Sequence, residues 1–408
     1  MIPDDWEERT LQNCARGIVR GASPRPIDDP KWFDDRSPVG WLRISDVTSA
    51  GRFLTTTTQR LSDAGIRHSR KVPAGSLVMS ICATVGRPIE TRIDVCIHDG
   101  FVLFDKPDVE QDFLYHVLTD LEPRWTKKGQ TGSQMNLNTG LIKGTKIAVP
   151  KDGVEQSAIA TTLSDVDALL AAQEALIAKK RAIKQGAMQE LLTGKRRLPG
   201  FDGEWEVRRL GDHLEFLSNG VNSRAELMGE GRVRYLHYGD IHGTDCVLLN
   251  PATAAMPCLP EAKARRLDRL RDGDLVFADA SEDLYGVGKS VELQGVGEIE
   301  VVSGMHTIAV RFDKAILADG FKGYLQFVPS FQDHLHRLAS GTKVLATNMS
   351  HIASAEVKLP SAKEQVAITE VLADMGAEVS ALEAQRSKTA QLKQGMMQAL
   401  LTGRIRLV

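Results

Sequence analysis

Two segments of the chain carry apolar residues at helical spacing over an unusually long stretch. The first extends from residue 156 to residue 192, 37 residues, which at 1.5 Å per residue predicts a helix of about 55 Å. Pro150 upstream and Gly194 downstream are typical of the boundaries of such a helix. Pro360 and Gly403 bracket a second segment in the same way. We therefore predict two long helices.

The apolar positions of both segments approximate a heptad, the pattern of helices that pack along a common seam. Each apolar stripe needs a surface to cover it, and we predict that the two helices cover each other as an antiparallel coiled coil. The predicted interface consists of Ile159, Val166, Leu169, Leu176 and Ile183 on the first helix and Ile368, Val371, Met375, Leu382, Leu392 and Met396 on the second.

The second helix repeats the end of the first. Residues 184–198 read KQGAMQELLTGKRRL and residues 393–407 read KQGMMQALLTGRIRL, with 11 of 15 positions identical at an offset of 209. The same offset places Glu155-Gln156 on Glu364-Gln365. Two unrelated surface helices would leave this match unexplained, so the repeat favours a duplicated architecture.

The segments that precede the helices are also related. Residues 39–47 align with 233–241 and residues 72–79 with 270–277, and Trp6 has a counterpart in Trp205. Short β-rich runs alternate with helical stretches in both, so the predicted fold class is α+β with two similar globular domains. The expected order, related by a pseudo-two-fold, is a globular domain (1–150), a central helix (151–200), a second globular domain (201–360) and a C-terminal helix (361–408).

The composition excludes several classes of protein. Hydrophobic residues make up 42% and charged residues 25%, which is ordinary for globular domains and argues against disorder. The formal net charge is -2, so a polyanion would have to be bound by local basic surfaces. No apolar run approaches a membrane span and the start of the chain is acidic, so we expect a cytoplasmic protein. The 5 cysteines form no CxxC pair, which argues against a zinc site or a disulfide framework.

Catalytic motifs are incomplete. Residues 286–290 read GVGKS, like the end of a phosphate-binding loop, but Asp283 replaces the first glycine of GxxxxGK[ST] and would repel a phosphate. The [DN]PP[FYW] tetrapeptide of DNA amino-methyltransferases does not occur, and Glu356-Val-Lys358 fits a solvated strand better than a nuclease centre. His334 and His336 do not have the i, i+4 spacing of metal ligands on a helix. We expect no catalytic residue, no metal and no cofactor.

Each globular domain carries basic clusters mixed with polar side chains, a combination that can bind phosphates and read base edges. One such cluster by itself is usually a solvated surface, but similarly placed clusters in two domains of one fold favour DNA. The candidate DNA-binding residues are Arg67, Arg70, Lys71, Lys127, Lys128, Gln130 and Ser133 in the first domain and Lys263, Arg265, Arg266, Thr342 and Lys343 in the second.

Taken together, these features resemble the specificity subunit of a type I restriction-modification system over essentially the whole chain. The duplicated Lys-Gln-Gly-x-Met-Gln-x-Leu-Leu-Thr-Gly ends and the Pro…Glu-Gln entries to both helices carry the resemblance. So do Trp6, Trp205 and the turns Gly132-Ser133 and Gly341-Thr342. Residues 279–283, 286–289 and 303–307 also resemble one subtype of the target recognition domains of this family.

The resemblance implies that each globular domain is a target recognition domain for one half of a split, asymmetric site in double-stranded DNA, and that the helices set the spacer. It also implies DNA adenine methyltransferase subunits as partners, two of them in the usual arrangement, with restriction subunits as possible further partners. Catalysis would reside in those partners.

Two alternatives from other classes stay open on the residues alone. The chain could be a stand-alone nuclease or nucleotide-dependent enzyme, in which case the purified protein should turn over DNA or nucleotide. It could also be a protein-interaction adaptor without a DNA role, which salt-sensitive binding of duplex DNA by the assembled complex would exclude.

Overall fold

The computed structural model describes residues 2–128 and 137–407, with residues 126–128 described by their backbone alone. The chain divides into two compact units. Unit 1 comprises Met1–Ala175 and Ala384–Val408, and unit 2 comprises Leu176–Glu383. Each unit combines a globular part with one segment of each of two long helices.

The described strands of unit 1 are β1 (Trp6–Thr10), β2 (Ala15–Arg20), β3 (Gly40–Leu42), β4 (Phe53–Leu54), β5 (Gln59–Arg60), β6 (Arg70–Val72), β7 (Leu77–Ser80), β8 (Pro88–Thr91), β9 (Val95–Ile97), β10 (Phe101–Pro107) and β11 (Lys146–Pro150). Its shorter helices are α1 (Ile44–Ser49), α2 (Asp63–Arg67), α3 (Gln111–Lys128) and α4 (Thr139–Gly144).

Unit 1 is built on a five-stranded sheet in the order β2-β10-β7-β8-β4. All residues of β7 and β8 are buried, as expected of inner strands that are covered on both faces. A second sheet, β5-β3-β9-β6, includes the parallel pair β3 and β9. The antiparallel pair β1 and β11 places Trp6 opposite Pro150, so the start of the globular part lies beside the entry to the first long helix.

The described strands of unit 2 are β12 (Glu206–Arg209), β13 (Leu214–Leu217), β14 (Val233–Leu236), β15 (Leu248–Leu249), β16 (Cys258–Leu259), β17 (Leu275–Ala278), β18 (Ala280–Ser281), β19 (Ser290–Leu293), β20 (Glu300–Ser303), β21 (Thr307–Phe312), β22 (Leu345–Ala346) and β23 (Glu356–Leu359). Its shorter helices are α6 (Tyr238–His242), α7 (Glu261–Ala264), α8 (Pro329–Leu338) and α9 (Met349–Ala353).

The sheets of unit 2 repeat those of unit 1. The five-stranded sheet has the order β13-β21-β17-β19-β15, with the same succession of directions between neighbours. The pair β12 and β23 corresponds to β1 and β11, and the parallel pair β14 and β20 corresponds to β3 and β9. Unit 2 adds a small antiparallel pair, β18 and β22. The predicted α+β class with two similar globular domains is confirmed.

The two long helices are α5 (Gly153–Leu191) and α10 (Ala362–Leu400), each of 39 residues. Within unit 1, the first part of α5 packs antiparallel on the last part of α10. Asp167 forms an ion pair with Lys393 at 2.5 Å. Further along α5, Gln173 Nε2 donates to Thr389 Oγ1 at 3.2 Å, so successive partners on α10 run in the reverse direction.

Within unit 2, the last part of α5 packs on the first part of α10 in the same antiparallel sense. Lys180 lies 2.5 Å from Glu378, and Arg181 Nε donates to Glu383 Oε1 at 3.1 Å. In each unit, acidic residues of one helix face basic residues of the other, because both helices are acidic in their first half and basic in their second. Parallel pairing would place like charges opposite each other, so the charge pattern favours the antiparallel arrangement.

The predicted helix interface is wrong at four positions. Leu169, Leu176 and Ile183 of α5 are 50%, 41% and 47% exposed, and Leu392 of α10 is 60% exposed. The other predicted positions are buried or half-buried, namely Ile159, Val166, Ile368, Val371, Met375, Leu382 and Met396.

The reason for the error is a slip of one residue in the heptad of α5. The buried stripe contains Leu163 and Ile177, and it continues through the buried Gln173 and the half-buried Lys184. Since Leu176 and Ile177 are both apolar, two adjacent stripes compete in the sequence. Polar residues interrupt the true seam, so hydrophobicity alone selects the wrong stripe.

Candidate nucleic-acid interface

A buried ion pair joins the globular part of unit 1 to its helices. Glu155, at the start of α5, is 1% exposed and pairs with Arg406 in the segment after α10, whose Nη2 lies 2.7 Å from Oε2. Arg406 also donates to Asp5, and Trp6 Nε1 donates to Glu155 Oε2 at 3.0 Å. Hydrogen bonds to Glu155 and Asp5 raise the pKa of Arg406, so this guanidinium stays charged. The joint ties β1, the start of α5 and the end of α10 together.

Unit 2 has an equivalent joint. Arg197, in the segment after α5, donates from Nε and Nη2 to the two carboxylate oxygens of Glu364 at 2.5 and 2.6 Å. Glu364 lies at the start of α10 and is 1% exposed. Trp205 packs beside Arg197, but its Nε1 is buried without a hydrogen-bond partner among the described residues. The arginines, glutamates and tryptophans of the sequence repeat are therefore the components of the two joints.

The glutamine that follows each glutamate completes the joint. In unit 1, Gln156 Nε2 donates to the carbonyl of Pro150 at 2.9 Å, and its Oε1 accepts the N–H of Glu110 at 2.7 Å. In unit 2, Gln365 makes the matching bond to the carbonyl of Pro360 at 3.0 Å. The Pro…Glu-Gln entries of the sequence thus connect each globular part to its helix.

The predicted DNA-binding residues of unit 1 differ in their availability. Arg67 ends α2 and is exposed, without a hydrogen bond or ion pair to a described residue. Arg70 Nε donates to the carbonyl of Arg20 at 2.7 Å, and Lys71 pairs with Asp94 at 2.9 Å. Arg67 is therefore the residue of this first cluster whose side chain has neither a hydrogen bond nor an ion pair to a described residue.

The second predicted cluster of unit 1 falls at the end of α3 and beyond. Lys127 and Lys128 are the last residues of this helix, and their side chains are outside the described part of the structure. Gln130 and Ser133 lie outside the described residues.

The first predicted cluster of unit 2 lies in and after α7. Lys263 is 2.7 Å from Glu226, and this hydrogen bond is the main reason that the pKa of Glu226 falls to about 2. Arg265 and Arg266 are exposed and, among the described residues, have no ion pair. Lys263 therefore already has an acidic partner, whereas the two arginines remain available.

The second predicted cluster of unit 2 lies beside a cleft of about 820 Å³. The pairing of β18 with β22 holds the exposed turn that carries Thr342 and Lys343 next to the loop that follows β17. The cleft lining includes Tyr238, Glu282, Tyr285, Lys289, His306 and Val344. The arginines after α7 are not part of this lining.

The aromatic residues of the cleft were not identified from the sequence. Tyr285 is 91% exposed at the tip of its loop. His306 has a left-handed backbone with φ 58, a conformation that is uncommon for residues other than glycine. Its Nδ1 lies 3.2 Å from Asp279 Oδ1, and its ring meets Tyr238 edge-on at 5.4 Å. A closer alignment of the two halves could have revealed the loop, because the loop is an insertion between matching strands.

The corresponding loop of unit 1 is shorter and closed. It comprises residues 81–87, seven positions, against residues 279–289, eleven positions, in unit 2. The histidine after β9, His98, packs against Trp41 at 5.8 Å and Phe101 at 4.7 Å between ring centroids. The histidine of unit 1 is thus packed between aromatic rings, whereas His306 of unit 2 lines the cleft.

The structure also shows what the GVGKS segment does. Ser290 begins strand β19, whereas the corresponding residue of a phosphate-binding loop begins a helix. Lys289 donates to the carbonyl of His242 at 2.9 Å. The segment is therefore the end of a β-hairpin. In the described part of the chain, no group of His, Cys, Asp and Glu could hold a metal ion, and no helix is long and apolar enough to cross a membrane.

The buried titratable groups serve packing. Burial raises the pKa of Cys14 and Cys96 to about 11, so neither forms the thiolate needed for nucleophilic chemistry near neutral pH. Burial likewise lowers the pKa of His116 to about 3. His116 Nε2 lies 3.1 Å from Ser164 Oγ, where the neutral ring packs α3 against α5.

This chain is similar to known proteins. Residues 3–179 match the family model of the type I restriction modification DNA specificity domain. Over 434 aligned positions, the chain is 21% identical to the putative type I restriction enzyme MjaX specificity subunit of Methanocaldococcus jannaschii, with 99% of this chain and 95% of that protein covered.

Solved structures share the fold. The S subunit of a type I restriction-modification system from M. genitalium matches with a TM-score of 0.59 at 13% identity, covering 98% of this chain and 96% of that chain. A chain from a study of complex assembly and conformational transition in a type I R-M system matches with a TM-score of 0.60 at 15% identity, covering 99% and 100%. The protein is thus of the class in which two related globular units are joined by long helices. The predicted resemblance to the specificity subunits of type I restriction-modification systems is confirmed, by the family model over residues 3–179 and by the relative aligned over 99% of the chain.

Proposed function

We propose that this chain is the DNA-recognition subunit of a type I restriction-modification complex and that each unit reads one half of a split, asymmetric site. The observation that supports the proposal is the contrast between the shared scaffold and the different loops of the two units. The two units share their sheet order and their helix joints, but they differ in the loops at one end of the main sheet. A common scaffold with different surface loops is what the reading of two different half-sites requires.

Within this proposal, residues 1–150 and 201–360 are the target recognition domains, and the helices in residues 151–200 and 361–408 form the spacer. The joints at Glu155 and Glu364 support this division, since each fixes a globular part to the helices through a buried ion pair. A fixed connection is needed if helix length is to determine the number of base pairs between the half-sites.

The cations that contact DNA in this proposal are those without an acidic partner. The residues that meet this condition are exposed and, within the described residues, form no ion pair: Arg67 and Arg70 in unit 1 and Arg265, Arg266 and Lys343 in unit 2. Lys71 already has an acidic partner and would have to exchange it for a phosphate. With a formal net charge of -2, the chain offers modest basic patches, so specific affinity should depend on the assembled complex.

The partners in this proposal are DNA adenine methyltransferase subunits, two per complex, with restriction subunits as a further addition. The chain itself is non-catalytic and needs no cofactor. Exposed leucine and isoleucine side chains on the long helices, Leu176 and Ile183 in unit 2 and Leu392 in unit 1, provide apolar surface for a helical partner. A cytoplasmic location, where chromosomal DNA is accessible, is part of the proposal.

Methylation mapping tests the proposal. Cells that lack other adenine methyltransferases would express this chain with the methyltransferase encoded beside it, and sequencing would locate the modified adenines. We expect one motif of two different invariant halves separated by a fixed number of unspecified base pairs. Cells with the methyltransferase alone are the control. Absence of methylation in the presence of both proteins, or a continuous motif, would contradict the proposal.

A further inference from the structure

The loop that follows β17 in unit 2 presents side chains that the fold itself does not use. Tyr285 is 91% exposed, although aromatic side chains usually bury most of their surface. Glu282 is exposed as well, and its carboxylate has no hydrogen bond or ion pair among the described residues. Both line the cleft beside the Thr342–Lys343 turn. These two groups are therefore available to a ligand.

Neighbouring residues hold this loop in shape. Asp283 Oδ1 accepts the N–H of Gly286 at 2.8 Å, and Ser281 Oγ accepts the N–H of Asp283 at 3.2 Å. A Cβ on Gly286 would lie 2.2 Å from Ser281 Oγ, so this turn requires glycine. Glu282 and Tyr285 thus project from a loop whose backbone is already fixed, which reduces the entropy that binding must overcome.

A second part of the cleft lining, at His306, is also held in place by its neighbours. His306 adopts a left-handed backbone conformation with φ 58, which is strained for a residue other than glycine. Asp279 and Tyr238 hold its ring in place. Backbone strain of this type is commonly retained where a side chain must be presented to a ligand. The cleft lining therefore combines fixed polar groups with a neighbouring basic turn.

We propose that this cleft contacts base edges of the half-site read by unit 2 and that Glu282 and Tyr285 determine which bases are accepted. The inference rests on the proposed function. A carboxylate repels phosphates, but it accepts a hydrogen bond from the N4 amino group of cytosine or the N6 amino group of adenine. At a guanine or thymine edge, the same carboxylate meets the acceptors O6 or O4 and is rejected. Lys343 on the adjoining turn is placed for the phosphate backbone.

The experiment uses the complex of the full chain with its methyltransferase. Fluorescence anisotropy compares the affinity for the cognate duplex with the affinity for duplexes altered at single positions of either half-site. The variants are Glu282→Gln and Tyr285→Ala. The matched control is Glu298→Gln, which removes the same charge from an exposed loop at the other end of β19. All three variants should bind the methyltransferase like the unchanged chain.

We expect Glu282→Gln and Tyr285→Ala to reduce discrimination at one or more positions of the half-site of unit 2 by about tenfold, the range expected for a good base contact. Discrimination at the other half-site, and all values for the control variant, should stay unchanged. Unaltered discrimination in both cleft variants would overturn the inference. Weaker methyltransferase binding with unaltered discrimination would overturn it too, since the cleft would then be a protein interface. If the unchanged complex did not discriminate at all, the proposed function itself would fail.

Discussion

Unit 1 and unit 2 share their sheets and their helix joints, and they differ in the loop that follows the central strand of the main sheet. Their main sheets have the same strand order, and their joints use the same Glu-Gln pair, arginine and tryptophan. The loop after the central strand has seven residues in unit 1 and eleven in unit 2. The longer loop carries the exposed Tyr285. The comparison indicates that the joints and sheets are constrained by burial, whereas this sheet end is free to change with the target.

The joints differ in one respect that can be measured. In unit 1, Glu155 accepts hydrogen bonds from both Arg406 and Trp6. In unit 2, Glu364 pairs with Arg197, and Trp205 Nε1 has no partner in the described structure. The same residues therefore form a more complete network in unit 1, and substitutions should reveal the difference.

Replacement of the joint arginines should lower the unfolding free energy more than the other substitutions below. Arg406→Met and Arg197→Met each leave a glutamate that is 1% exposed without its counter-charge, so both should lower the unfolding free energy far more than a surface substitution does. Arg197→Met should be the more destabilising of the two, because the Glu364 carboxylate then has no donor left among the described residues, whereas Glu155 keeps Trp6. Denaturant unfolding followed by circular dichroism measures both.

The control for this pair is Arg404→Met, at an exposed position near the first arginine. It should change the unfolding free energy by less than about 0.5 kcal/mol. Losses at Arg406 and Arg197 as small as that of the control would show that the joints do not stabilise the attachment of each globular part to its helices.

Substitution of the two joint tryptophans compares the joints at a single hydrogen bond. Trp6→Phe removes a hydrogen bond to a buried carboxylate, while Trp205→Phe removes a buried donor without a partner in the described residues. Since both lose similar ring contacts, the difference isolates the hydrogen bond. We expect Trp6→Phe to be more destabilising by about 2 kcal/mol in denaturant unfolding. Equal losses would mean that the two joints are equivalent.

Acid should lower the unfolding free energy of unit 1 through a buried histidine. The pKa of His116 in unit 1 is about 3 in the folded protein, against 6.5 for an unperturbed histidine, so the unfolded chain binds the proton more tightly. The stability of unit 1 should therefore fall as the pH drops below 6.5, by about 1.5 kcal/mol at about pH 5. Burial also lowers the pKa of His237 in unit 2, so that unit should show an acid-dependent loss of the same sign.

The substitution His116→Gln tests this effect, with the exposed His68→Gln of the same unit as the control. Tryptophan fluorescence reports mainly on unit 1, which contains four of the 5 tryptophans. The slope of stability against pH should flatten only for His116→Gln. An unchanged slope in that variant would show that the histidine is not responsible.

The scaffold could be predicted from the sequence because its signals are local and duplicated. The 209-residue offset identified both long helices, and the repeated Glu-Gln, arginine and tryptophan residues proved to form the joints. The exact helix seam could not be predicted, because it passes through Gln173 and Lys184 and leaves Leu169 and Leu176 exposed. Polar contacts across a seam depend on the partner helix, which a single helix pattern does not contain.

The candidate DNA surface was harder to predict for a different reason. Basic residues were chosen by type, but Lys71 and Lys263 already have acidic partners that are distant in sequence. Tyr285 and His306 were missed, since their roles depend on a loop insertion and on the turn that β18 and β22 bring beside it. Such groupings arise only when the sheet is assembled.

The most direct test of the account is a change in helix length. Insertion of Ala-Gln-Glu-Ala after Ala175 in α5 and after Ala384 in α10, positions related by the 209-residue offset, lengthens each helix by about 6 Å and nearly preserves the apolar stripe. At about 3.4 Å per base pair, this corresponds to one or two additional base pairs. Methylation mapping should show the same two half-sites with the gap enlarged by that number. An unchanged gap at full activity, or altered letters in either half-site, would contradict the claim that two recognition units are held at a distance set by the helices.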